Sequence, residues 1–384
     1  MAELRRGLSV AQYRNDSRWA QDVANTLTAG WGMAWVEPEF SRERVNVAGR
    51  RLVTGIAARR DDGALHFEDV NAYLEATVIM SNWRASHQFP LNTFKINLRD
   101  RAIRIDDAAF VAQRLKRATS IIDKLKRFPG MRLSQMQDIG GCRAVLSTLE
   151  QVNQLRESIK GSRIKHRLVN EKDYIITPKD DGYRGIHLIY RYVSDKKETY
   201  NNHSIEIQIR TKRQHAWATA VETVGSLTNQ KLKADQGDRA WLEYFSLISA
   251  AFAHREGVPG DEDFEVIRDR LTAFETELHV VERLTAFQAM MKEVIADPDR
   301  RKSAYFLMKL DLANKEVMVI SYSQDKFSEA ASDYKKIEEE NKPGVDAVLV
   351  MADSVHALKI AYPNYFGDTT LFIAELNEIL DPQQ

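Results

Sequence analysis

Residues 172–192 read KDYIITPKDDGYRGIHLIYRY, and after a polar loop residues 204–222 read SIEIQIRTKRQHAWATAVE. In the second segment Ile205, Ile207 and Ile209 alternate strictly with Ser204, Glu206, Gln208 and Arg210. A period of two is that of a β-strand, so one face is aliphatic and the other carries an acid, an amide and a cation. In IHLIYRYV the same alternation puts His187 and Arg191 on one face and Ile186, Leu188, Tyr190 and Tyr192 on the other. One such strand alone is explained equally well by a solvated face. Two neighbours place acid, amide, imidazole and guanidinium side by side, a surface suited to a charged ligand.

The chain has 384 residues, room for two domains or for one with substantial appendages. Its 43% hydrophobic and 29% charged residues suit a soluble protein able to bury a core. Lys plus Arg and Asp plus Glu both total 55, so anion binding must come from local clusters and not from a basic overall field. The one cysteine, Cys142, excludes a disulfide framework and a multi-Cys zinc site, and weakly favours a reducing compartment. The N-terminus lacks a signal-peptide layout and no apolar run approaches a membrane span. A cytoplasmic protein without membrane contact is expected.

Residues 1–105 read as a flanking region of helical and strand pieces. It carries Trp19, Trp31, Trp35 and Trp83, with loops around Gly30, Asp61-Asp62-Gly63 and Pro90. An amphipathic helix is predicted from about Asp106 to Phe128, stopped by Pro129-Gly130. A helix start at Ser134 and a strand at Arg143–Leu146 come next, then helix, strand, strand and helix to about Gly225. Residues 106–226 are therefore expected to be an α+β domain, a mixed β-sheet core flanked by helices, because the connections are short for repeated βαβ crossovers.

Beyond Gly225, Trp241, Phe245, Ile248 and Phe252 recur at helical spacing. After a turn at Gly257–Gly260, Phe264, Ile267, Leu271, Phe274, Leu278 and Val281 form a stripe running toward Ile295. This predicts a helical hairpin over 227–298 that packs within the chain or against a second copy as a homo-oligomer. Asp297-Pro298 closes it. Residues 299–384 read as strand (Tyr305–Leu312), strand (Glu316–Ser321), helix (Phe327–Glu340), a Pro343-Gly344 turn, strand (Ala347–Met351) and two short helices. This small C-terminal α/β module shows no catalytic constellation, which suits a structural or regulatory role.

Residues 114–127, RLKRATSIIDKLKR, place Lys116, Ser120, Lys124 and Arg127 within a quarter turn of one helical face. Ala118, Ile121, Ile122 and Leu125 lie opposite, and Arg114 stands off the basic face at the helix start. Such faces are usually only solvated. Here a hydroxyl sits among the cations, which suits a polyphosphate. In MQDIGGCRAVL (136–146) Asp138 precedes Gly140-Gly141 and the strand of Arg143. It either caps that turn or reaches a ligand that bare backbone lets close; a single such acid is enough for Mg²⁺ held on phosphates. Lys172 and Lys179 flank Pro178, Asp180-Asp181-Gly182 turns the chain, and Tyr183 stands among Lys179, Arg184 and His187. That is a hairpin turn with an incidental tyrosine, or a ring for stacking on a nucleobase. Glu206 among cations is a natural acceptor for a hydroxyl proton. These parts outline phosphoryl transfer, which needs positioning, charge neutralisation and a base. There is no GxxxxGK[ST] loop, and no spaced His, His-Asp and Asp set of a metal phosphohydrolase.

At these residues, over roughly Ala108 to Gly225, the chain resembles the synthetase domain of RelA/SpoT-type alarmone synthetases, which make (p)ppGpp. R-x-K-x-x-x-S-I-x-x-K-x-x-R is present from Arg114 to Arg127, D-I-x-G-x-R from Asp138 to Arg143, and K-D-Y-I-x-x-P-K-x-x-G-Y-R-x-x-H from Lys172 to His187. E-I-Q-I-R-T with H-x-W-A-x-x-x-E runs from Glu206 to Glu222. The resemblance implies a nucleotidyltransferase-like fold and transfer of pyrophosphate from ATP to the 3′-hydroxyl of GDP or GTP. It implies that Arg114, Lys116, Ser120, Lys124 and Arg127 bind ATP with Arg143 as helper. Asp138 would ligate Mg²⁺, and Glu206 would activate the hydroxyl and join Asp138 at the metal. Tyr183 would stack on guanine, Lys172, Lys179, Arg184 and His187 would meet the acceptor, and Gln208 and Arg210 would complete the floor.

Many relatives carry Asn where this chain has Asp181, Ser where it has Gly185 and His where it has Thr223; the first two bear on acceptor identity. No hydrolase domain pattern is visible. Two other readings compete: a relative that modifies the tRNA 3′ end or makes adenosine alarmones, and an inactive nucleotide sensor, which retention of Asp138 and Glu206 disfavours. SNWRASHQFPLN (81–92) and AYPNYF (361–366) are distinctive without an assignable chemistry.

Overall fold

The computed structural model describes residues 35–55, 67–227, 238–260, 262–296, 303–311, 313–323, 326–340, 342, 345–351 and 355–381. The features expected at Trp19, Gly30, Trp31, Asp61-Asp62-Gly63, Asp297-Pro298 and Pro343-Gly344 lie outside these residues.

The alternating segments belong to a five-stranded sheet of β1 (Phe110–Leu115), β2 (Gly140–Leu146), β3 (Arg167–Asp173), β4 (Ile186–Arg191) and β5 (Ser204–Thr211), in the order β1-β2-β5-β4-β3. The β2–β5 pair is parallel and the other neighbours antiparallel, so the sheet is mixed, as expected. Three strands, not two, lie between the flanking helices. RLVNEKD of β3 has no clean alternation, and its pairing with β4 carries a register shift between Leu168 and Asn170.

Ile186, Leu188 and Tyr190 of β4, Ile205, Ile207 and Ile209 of β5, and Cys142, Ala144 and Leu146 of β2 share one core. Against them pack α3 (Gln88–Ile105), through Leu91, Phe94 and Leu98, and α5 (Leu149–Lys160), through Val152, Leu155 and Ile159. Burial of one such large aliphatic side chain is worth about 1.5–3 kcal/mol. A one-residue slip of β5 would drive Glu206, Gln208 and Arg210 into this layer, so the register is strongly specified.

The expected helix from Asp106 is shorter: residues 110–115 are β1, and α4 spans Ala118–Arg127. Ladder pairing with β2 overrides local helical periodicity here. Asp106 holds the preceding turn, accepting from Ala108 N–H at 3.0 Å and Ser147 N–H at 2.7 Å. Arg114 therefore projects from a strand, not from a helix start. Ser134 begins no α-helix and lies in a 3-10 turn, Leu133–Gln135. The described part of the N-terminal region has no strand; it consists of α1 (Arg42–Thr54), α2 (Phe67–Ala85) and α3. Pro90 makes no loop, since in the first turn of α3 its missing N–H costs nothing.

After β5 come α6 (Lys212–Leu227), α7 (Arg239–Arg255), α8 (Phe264–Leu278) and α9 (Val280–Met290). The predicted continuous stripe breaks at His279, whose backbone is left-handed at φ 49°. The stripe's Ile267 and Leu271 bury within the chain against Trp241, Phe245 and Ile248. Phe372, Leu376 and Ile379 of α12 (Thr370–Leu380) join that core.

Beyond α9, β6 (Lys292–Ala296), β7 (Ser303–Asp311), β8 (Glu316–Ser323) and β9 (Val345–Met351) form a second sheet in the order β6-β8-β7-β9. Residues 292–296 are thus strand, not the end of a helical stripe. On one side of this sheet lies α10 (Phe327–Glu340). On the other lie α11 (Val355–Ala361), Tyr362, Tyr365 and Phe366, together with Ala112 of β1. Among the described residues no helix is long and apolar enough to cross a membrane.

Candidate active site

The polar face of the five-stranded sheet is built in rows. Arg143 on β2, Gln208 on β5, His187 on β4 and Lys172 on β3 stand directly opposite one another, so all four project from one face. In the next row Arg114 on β1, Gly141 on β2 and Glu206 on β5 are in register. Gly141 leaves an open strip between the arginine and the glutamate, because a Cβ there would meet nothing nearer than the Glu206 carbonyl oxygen at 3.9 Å. Gly140, on the core face, serves packing: its Cβ would fall 2.9 Å from Ile205 Cδ1.

Asp138 lies in the turn feeding β2. Its Oδ2 takes the Lys116 ammonium at 3.1 Å and the Lys124 ammonium at 2.9 Å. Lys124 is delivered by α4, anchored through buried Ile121 and Leu125. Lys116 sits before α4, its N–H donating to the Ile139 carbonyl at 2.7 Å and its carbonyl accepting from Arg84 at 2.6 Å. Burial alone would raise the Asp138 carboxyl, but the two ammoniums outweigh it and hold the group at about 2. Ser120 is half-buried on α4, and exposed Arg127 lies 5.4 Å over the Phe128 ring; neither bonds to Asp138.

Glu206 is the second carboxylate. Its Oε1 lies 3.0 Å from His187 Nδ1, and its Oε2 accepts from Gln208 Nε2 at 2.7 Å. Burial pushes its acidity one way, the His187 contact and Gln208 the other, and the net is a carboxyl below its ordinary range. Glu206 also feels the Asp138 charge, which works against its ionisation.

Tyr183 is half-buried at the predicted turn, and Lys179 lies 4.7 Å from its ring centroid. Its hydroxyl is 2.8 Å from His187 Nε2, its ring edge meets Trp217 at 6.4 Å between centroids, and burial raises its phenol to about 12. The predicted turn is present, with Asp181 accepting from Tyr183 N–H at 2.9 Å. Tyr174 is a second half-buried ring beside these lysines: Lys172 and Lys179 lie 6.0 and 4.7 Å from its centroid. Its place two residues beyond Lys172 in the K-D-Y motif is the signal for it. Arg184 turns away from the face, donating to Ser249 Oγ at 3.1 Å and to the Ile175 carbonyl. Arg210 is 3% exposed, so it underlies the floor and does not line it.

The AYPNYF segment reaches this face. Arg143 donates to the Ala361 carbonyl at 2.7 Å and lies 5.9 Å over the Tyr362 ring. Tyr362 donates to the Gln113 carbonyl of β1 at 2.8 Å. Tyr365 donates to Asp346 at 3.1 Å, and Asp346 pairs with Arg117. Burial, then the Arg210 charge, lower the Arg143 guanidinium from its ordinary value. A residue expected at the donor nucleotide is thus engaged by the C-terminal module. Only the two tyrosines around Pro363-Asn364 mark this contact in the sequence.

The carboxylates suit Mg²⁺. Asp138 Oδ1 is buried without a hydrogen-bond partner, a hard oxygen donor left over after Oδ2 has met both lysines. Among the described residues no group of three or more His, Cys, Asp or Glu side chains could hold a metal ion, so any such ion would draw its other ligands from phosphates and water.

Residues 113–225 match a family model described as "Region found in RelA / SpoT proteins". GTP pyrophosphokinase YjbM and GTP pyrophosphokinase YwaC of Bacillus subtilis (strain 168) are each 33% identical over 112 residues. Those residues are 29% and 28% of this chain and 53% and 52% of theirs. The chain spans about half the length of these curated relatives. The crystal structure of small alarmone synthetase 1 from Bacillus subtilis bound to its product pppGpp aligns at 23% identity and TM-score 0.39, over 44% of this chain and 89% of that one. A GTP pyrophosphokinase family protein from Streptococcus pneumoniae aligns at 25% identity and TM-score 0.38, over 48% and 91%. The matched stretch contains the four ordered motifs between Arg114 and Glu222 and is similar to the region found in RelA/SpoT proteins.

Proposed function

We propose that this chain is a pyrophosphokinase that moves the β,γ-pyrophosphate of ATP to the 3′-hydroxyl of GDP or GTP, on a nucleotidyltransferase-like sheet. The observation that carries this reading is the row Arg114–Gly141–Glu206, with Asp138 at the head of the middle strand. It sets a cation and a base on either side of an open strip of backbone. The donor phosphates lie over that strip, met by Arg114, Lys116 and Lys124, and the acceptor approaches from the side of Lys172, Lys179 and Tyr174. Glu206, held ionised, takes the proton of the 3′-hydroxyl. That oxygen forms a bond to the β-phosphorus of ATP. The bond from the β-phosphorus to the α,β-bridging oxygen breaks, and AMP leaves with the electron pair. Mg²⁺ held by Asp138 and Glu206 would supply charge neutralisation on the phosphates.

The reading is tested with γ-labelled ATP and purified full-length chain, offered GDP, GTP, ATP and tRNA separately. Label in a guanosine product, with one AMP released per transfer, is expected. Label confined to tRNA or to an adenosine nucleotide, or no transfer at all, contradicts it.

A further inference from the structure

Behind the proposed base runs a hydrogen-bonded chain. Glu206 Oε1 is a carboxylate oxygen that only accepts, so His187 Nδ1, 3.0 Å away, carries the proton. In that tautomer the other ring nitrogen is an acceptor, and the Tyr183 hydroxyl, 2.8 Å from it, is placed to donate. On the other oxygen Gln208 donates at 2.7 Å. The carboxylate is gripped at both ends, by the two side chains that pair directly across β4 and β5. Local backbone makes room for the outermost member: Gly185 sits at φ +150°, and a Cβ there would press to 3.1 Å from the Tyr183 hydroxyl. His187 is only 8% exposed, which suits a supporting group better than one that meets solvated phosphates.

We infer that Tyr183 and His187 are positioning residues for Glu206: the phenol fixes the imidazole tautomer, and the imidazole N–H fixes the carboxylate that receives the acceptor's proton, a role that rests on reading Glu206 as that base. Three variants of the full-length chain test this by steady-state turnover: Tyr183→Phe, His187→Ala and His187→Asn. Tyr183→Phe keeps the ring and loses one hydrogen bond, so kcat should fall about 3- to 10-fold with acceptor KM nearly unchanged. His187→Ala should lose more, and His187→Asn should recover part of the loss, because its amide nitrogen can stand where Nδ1 stood. An unchanged kcat with raised acceptor KM in Tyr183→Phe, or an Asn variant no better than Ala, overturns the inference while leaving the pyrophosphokinase reading intact. Absence of transfer by the unmodified chain overturns both.

Discussion

At the scale of single residues, the site is poised by charge. Lys116 and Lys124 hold Asp138 ionised although burial opposes it. The folded carboxyl lies below its ordinary 3.8, at about 2, so the stabilisation it contributes is complete at pH values above its unfolded range. It is lost as pH falls through about 2. The shift corresponds to about 2 kcal/mol. Metal-free protein should therefore lose stability between about pH 4 and pH 2, and Asp138→Asn should flatten that part of the profile in denaturant titrations. A variant whose acid limb matches the unmodified chain would show that the lysines do not stabilise this carboxylate.

At the scale of elements, two adjacent glycines in β2 should behave oppositely. Gly140→Ala forces a Cβ to 2.9 Å from Ile205 Cδ1, against β5 in the core; overpacking of this kind costs about 1–3 kcal/mol, read as a lowered melting temperature. Gly141→Ala has space in the fold but puts a methyl group into the strip between Arg114 and Glu206, so melting should hold while ATP KM rises. The reverse pattern would mean that the donor does not lie over β2. Much of this sheet was legible. Strict alternation in SIEIQIR and IHLIYRY gave both the buried and the polar face, and the basic run gave α4 with Ile121 and Leu125 inward. β1 was not legible, because six residues of FVAQRL beside a strong helical pattern become strand only through pairing with β2, about thirty residues later. The direction of Tyr183 was not legible either, since it depends on the space left by Gly185 and on His187 one strand away.

At the scale of the whole molecule, the C-terminal module reads as more than an appendage. Through Ala361 and Tyr362 it holds Arg143, a residue of the proposed donor side, and it braces β1 through Gln113. Such a seat competes with any nucleotide that needs the same guanidinium, and a site only part of the time open shows a weakened apparent affinity. Tyr362→Ala should thus raise kcat/KM for ATP, and an unchanged value would mean that the contact is purely structural. In the proposed reaction one pocket brings a donor held by Lys116, Lys124 and Asp138 to a hydroxyl deprotonated by Glu206. ATP affinity by calorimetry, paired with turnover, tests it most directly in Glu206→Gln. Turnover should fall by about 10²-fold or more with ATP affinity largely retained; near-normal turnover in that variant would mean that Glu206 is not the base.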